Sequence, residues 1–158
     1  MIFGMDIYTF VHVALSLIGI VTGIIVLFGW LADVRLPGWT ALFLATTVLT
    51  SATGFGFPFD KLLPSHIVGI ISLIVLAIAL YALYGAHLNG AWRWIYVVTA
   101  MIALYLNVFV LIVQAFIKIP ALNALAPTQA ETPFVATQGA VLLAFVALGL
   151  LATRRFRG

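Results

Sequence analysis

The chain has 158 residues, of which 65% are hydrophobic and 7% charged, with a formal net charge of +3 and no cysteine. Soluble domains carry about 25% charged residues, so this composition cannot build a water-facing surface, and its apolar excess must face lipid. The lack of cysteine excludes disulfides, thiolate metal sites, iron–sulfur clusters and covalent c-type haem, and the scattered positive residues offer no basic face to nucleic acid.

The segment MIFGMD lacks the positive stretch that opens a cleavable signal, so the apolar run after it reads as a retained first helix. A hydrocarbon core of about 30 Å needs about 20 helical residues. Five stretches meet that length and predict an all-α bundle of five transmembrane helices in one domain: residues 7–31, 39–57, 65–85, 92–117 and 134–152. Breaks rich in Pro, Gly, Asp or Asn separate them, and the longest connection, 118–133, carries three prolines and reads as a stiff connector. The runs are too long for strands and do not alternate with period two.

Charge asymmetry sets an orientation. The tail Arg154-Arg155-Phe156-Arg157 is the densest positive cluster and is expected in the cytoplasm. Five spans then place the N-terminus outside, Arg35 and Arg93 inside, and only Lys61 and Lys118 outside. Trp30, Trp39, Trp92 and Trp94 fall at the cytoplasmic interface, where amphipathic rings anchor helices. The expected location is the inner (plasma) membrane.

In that topology each span brings a polar group to the outer leaflet: His12, then Thr50, Ser51 and Thr53, then His66, Gln114 and Gln138. Asp6, Asp60, Lys118 and Glu131 would form a rim above them. His12, Ser16, Gly19 and Gly23 share one stripe, which predicts that His12 lies on the packing face of its helix. Asn107, Gln114 and Lys118 share another, and Gly69 below His66 admits a close neighbour. Neutral imidazole ligates haem iron, zinc and copper, so His12 and His66 are the candidate metal or haem b ligands. They suit a quinone head group or proton transfer as well. His12, His66, Gln114, Gln138 and Thr50 make up the candidate cofactor pocket. The competing reading is that these groups only hydrogen-bond between helices, worth about 0.6–2 kcal/mol each. His87 reads as a solvated turn residue. His12-Val13-Ala14-Leu15 and His66-Ile67-Val68-Gly69 also hint at two repeated hairpins that would set the histidines opposite each other.

The run from His12 through Thr46-Thr47-Val48-Leu49-Thr50-Ser51-Ala52-Thr53-Gly54-Phe55 to His66-Ile67-Val68-Gly69 resembles small multi-pass bacterial membrane proteins without an assigned activity. So does Tyr105-Leu106-Asn107-Val108-Phe109-Val110 with Gln114-Ala115-Phe116. In outline they are similar to cytochrome b561-like helical bundles, and that resemblance implies intramembrane histidines as haem ligands.

Two functions follow as expectations. One is a redox or sensing protein with a haem b or quinone at His12 and His66. The other is a non-enzymatic subunit, assembly factor or homo-oligomer whose polar cluster serves packing, with lipids and a membrane protein as partners. Nucleophilic and hydrolytic catalysis find no motif, since Gly-x-Ser-x-Gly and His-Glu-x-x-His are both absent. A small transporter is disfavoured by the lack of carboxylates within the helix cores.

Overall fold

The computed structural model describes residues 7–56, 64–128 and 130–157. Among them are six α-helices and no strand: α1 (Ile7–Leu31), α2 (Pro37–Gly54), α3 (Pro64–Leu80), α4 (Trp92–Lys118), α5 (Pro120–Leu125) and α6 (Thr132–Arg155). A π-helical turn, Tyr81–Gly85, continues α3. Asp6, Asp60 and Lys61, expected near the outer surface, lie outside the described residues, as does Phe57 at the expected end of the second span.

Local chemistry explains where the helices start and stop. α2, α5 and α6 each carry a proline in the first turn, where its missing N–H would have had no helical partner. That moves the start of α2 to Pro37 and of α6 to Thr132, ahead of the purely apolar runs. α1 stops where Asp33 turns left-handed at φ 54°. There the Val34 and Asp33 N–H groups donate to the Gly29 and Trp30 carbonyls at 2.8 and 3.1 Å, a Schellman-type end in which Asp tolerates the conformation better than most residues. The expected stiff connector after α4 contains the short helix α5.

α1 runs antiparallel to α2 and to α4, and α4 antiparallel to α6. Along α1 and α2, His12 meets Thr53, Gly19 meets Thr46 and Thr47, Gly23 meets Phe43, and Gly29 meets Leu36. Against α4, Ser16 meets Asn107, Gly23 meets Leu104 and Trp30 meets Tyr96. α6 lies along α4, with Phe134 on Phe116, Phe145 on Tyr105 and Gly149 on Met101. The core centres on Phe43, Leu44, Leu76, Tyr96, Val97 and Leu104, each exposed by 1% or less. α4 is the central helix and α6 the peripheral one: 44% of the most apolar stretch of α4 is buried against 6% for α6.

Four helical segments are long and apolar enough to cross a membrane: Ile7–Leu31, His66–Gly85, Trp92–Lys118 and Thr132–Arg155. This is a multi-pass membrane protein. α2, the remaining expected span, has 18 residues and carries five threonines and a serine. That content, not its length alone, lowers its apolarity.

Candidate functional site

His12 and the C-terminal arginines lie at opposite ends of the bundle, called here the histidine end and the arginine end. At the histidine end the stripe on α1 is the packing face. His12 Nδ1 and Thr53 Oγ1 share a hydrogen bond of 2.7 Å, and Tyr8 donates to the Thr53 carbonyl. One turn deeper, Ser16 Oγ donates to Asn107 Oδ1 at 2.8 Å while Asn107 Nδ2 returns a bond to the Ser16 carbonyl at 3.3 Å. Gly19 follows, where an added Cβ would lie 3.0 Å from Thr47 Oγ1 and 3.2 Å from Asn107 Nδ2. Glycine lets side chains of both α2 and α4 approach its bare Cα closely. Between α2 and α3, Ser51 Oγ donates to Ser72 Oγ at 2.9 Å.

His66 is buried, 5% exposed, with its ring 5.8 Å from that of Phe55. Phe55 in turn closes over Gly69, whose added Cβ would stand 3.0 Å from the ring. Both histidines therefore border the last turn of α2, His12 at Thr53 and Gly54, and His66 at Phe55. No group of three His, Asp or Glu side chains suited to a metal ion occurs among the described residues.

The other candidates divide. Thr50 donates to the Thr46 carbonyl at 2.7 Å, which satisfies its hydroxyl within α2. Gln138 is buried and donates from Nε2 to the Phe109 carbonyl at 3.2 Å, but its Oε1 is buried without a hydrogen-bond partner. Gln114, half-buried on α4, makes no hydrogen bond among the described residues. Lys118 ends α4 exposed, and Glu131 precedes α6, so both stand at this end, although the rim residues Asp6 and Asp60 are not described. The Thr128 hydroxyl and amide both donate to the Glu131 carboxylate. The hydroxyl bond first, and the backbone amides after it, hold that carboxyl below the usual range.

Sequence reasoning missed Ser72, whose partner Ser51 it had noticed; a serine in the middle of an apolar helix was the available signal. It also missed the contacts made at the arginine end. Arg93 donates to the carbonyls of Thr153 (3.0 Å) and Phe156, closing the C-terminus of α6. Phe156, flanked by arginines, is 2% exposed and packs with Trp30 and Tyr96 at centroid distances of 6.5 and 6.2 Å. Arg157 N–H donates to Asp33 Oδ1 at 2.8 Å. The tail reads in sequence as a charge cluster, yet its phenylalanine is a core residue. His87, expected on a solvated turn, is exposed and stands at the mouth of a cavity beside Arg35.

No protein family matches this chain, and no curated protein or solved structure is similar to it.

Proposed function

We propose that the chain is a five-span bundle of the inner (plasma) membrane, N-terminus outside and arginine tail cytoplasmic, acting as a non-enzymatic subunit, assembly factor or homo-oligomer. The observation that carries this is the pairing of polar groups between helices: Ser16 with Asn107, Ser51 with Ser72, and His12 with Thr53. A site reserved for a ligand leaves such groups turned toward it; here they are turned onto neighbouring helices.

The fifth span is α2. Its 18 residues extend about 27 Å at 1.5 Å per residue, and it accompanies α1 from Thr53 to Leu36. Thr46, Thr47 and Thr50 donate to carbonyls of their own helix at 2.7 Å each, which lessens the cost of carrying hydroxyls into lipid. Five of the seven Lys and Arg residues fall at the arginine end, in keeping with a cytoplasmic location.

Purification from haem-supplemented cells tests this reading. The expected product is colourless and runs in mild detergent as a multiple of 17.1 kDa or with a stoichiometric partner. His12→Ala and His66→Ala should assemble as the wild type does. A Soret band lost in both variants, or a strictly monomeric and partnerless protein, overturns it.

A second reading, ligand binding at the histidine end, is favoured by the unpartnered Gln138 Oε1. A buried acceptor in that state suits a quinol hydroxyl, with Gln114 little more than one turn from Phe109 on the neighbouring helix. The likeness to cytochrome b561-like bundles adds haem b, with His12 and His66 as its ligands. Co-purifying quinone that disappears in Gln138→Leu would decide for this reading.

A further inference from the structure

At the arginine end a cavity of about 230 Å³ opens between the α1–α2 turn, the π-helical turn and α4. Tyr96 and Thr40 form its buried floor, Trp30 and Tyr84 its walls, and Arg35 and His87 its exposed mouth. This volume is below the range of drug-sized pockets, so it suits a head group rather than a whole lipid. Arg35 makes no hydrogen bond or ion pair among the described residues. Asp33, the single carboxylate near it in sequence, is engaged by the Arg157 amide. Arg93, Arg154, Arg155 and Arg157 share this end, so the mouth favours an anion.

The backbone around His87 supplies an independent observation. His87 and Leu88 hold φ of 53° and 61°, a left-handed conformation that side-chain-bearing residues avoid. They follow the π-helical turn after one residue, Ala86, with the Ala86 and Leu88 N–H groups donating to the Tyr81 and Ala82 carbonyls at 2.7 and 2.9 Å. π-turns and left-handed residues both concentrate at functional sites. Together they set Tyr84 and His87 at the cavity.

We propose that this cavity binds the phosphate-bearing head of an anionic membrane lipid. The planar Arg35 guanidinium, with two parallel N–H donors, matches phosphate oxygens, and the His87 imidazole, which lines the same cavity, adds a further donor. Trp30, Tyr84 and the Leu36 and Leu83 side chains accept the carbon atoms next to the phosphate. Basic pockets between helices at the cytoplasmic surface hold anionic head groups in this manner.

Native mass spectrometry of the delipidated full-length protein in mild detergent tests the proposal. Phosphatidylglycerol should be retained at one copy and about tenfold more tightly than phosphatidylcholine, a difference set by the charged mouth. Arg35→Gln should lose that preference, and Lys118→Gln, at the other end, should keep it. His87→Gly removes the imidazole and relieves the left-handed backbone, so it should weaken phosphatidylglycerol retention while thermal stability stays level or rises. Equal retention of the two lipids overturns the proposal, as does wild-type preference in both Arg35→Gln and His87→Gly. Displacement of phosphatidylglycerol by millimolar inorganic phosphate overturns a lipid as the source and leaves a small phosphate compound as the occupant.

Discussion

Gly19 and Gly23 differ in what surrounds them, and the difference decides how each tolerates a methyl group. At Gly23 an added Cβ would lie 2.6 Å from Leu104 Cδ1 and 2.9 Å from the Phe43 ring, and neither residue has space to retreat because both are fully buried. Gly23→Ala should cost about 1–3 kcal/mol through overpacking. Gly19→Ala presses on Thr47 and Asn107 and should cost less, whereas Gly139→Ala, with nothing within 4 Å, should stay within about 0.5 kcal/mol. Denaturation in mixed micelles measures all three. A double-mutant cycle on Ser16→Ala and Asn107→Ala should return a coupling of about 0.6–2 kcal/mol; a value near zero would show that the reciprocal bonds do not hold α1 to α4. The stripe of His12, Ser16, Gly19 and Gly23 was legible in sequence because helical period alone sets which residues share a face. Their partners were not, since period says nothing about which helix lies opposite.

At the scale of elements, α6 depends on its two ends. Its last carbonyls are held by Arg93 of α4, and its continuation buries Phe156 against Trp30 and Tyr96. Phe156→Ala should destabilise by about 3–5 kcal/mol. Arg93→Ala should raise amide hydrogen exchange across residues 152–157 while leaving the first turns of α6 protected. At the other end Glu131 occupies the N-cap position with its carboxyl held low by Thr128. A carboxyl depressed in the folded state contributes stability above its unfolded value and loses it as pH falls through the folded one. Fraying at the start of α6 should therefore appear only on acidification, and Thr128→Val should raise the Glu131 midpoint in an NMR titration. Helix positions were legible from apolar runs; their starts moved by two residues at Pro37 and Thr132 because first-turn prolines extend a helix beyond its apolar stretch. The π-helical turn and the left-handed pair after it have no comparable signature in the residues themselves.

For the molecule as a whole, the cysteine-free sequence makes topology directly measurable. Single cysteines replacing Val34 and Asp60, in the α1–α2 and α2–α3 connections, should react with an impermeant maleimide from opposite sides of the membrane. Labelling of both from one side would reduce the spans to four and turn α2 into a re-entrant helix. Composition sufficed to place the chain in a membrane, because no packing of a single chain this size hides so much apolar surface from water. It could not divide the polar residues between bonds to other helices and bonds to a ligand, since that depends on distances between helices far apart in sequence. The threonine-rich α2 also bears on how the chain is made. A segment of such modest apolarity partitions poorly by itself, and on the five-span reading it leaves the translocon only as a hairpin, four of its threonine hydroxyls already returned to its own carbonyls and its inner face already against the glycines of α1. Biogenesis would then begin with α1 waiting at the lateral gate until α2 has been synthesised, and the first committed step of assembly would be the closure of that pair.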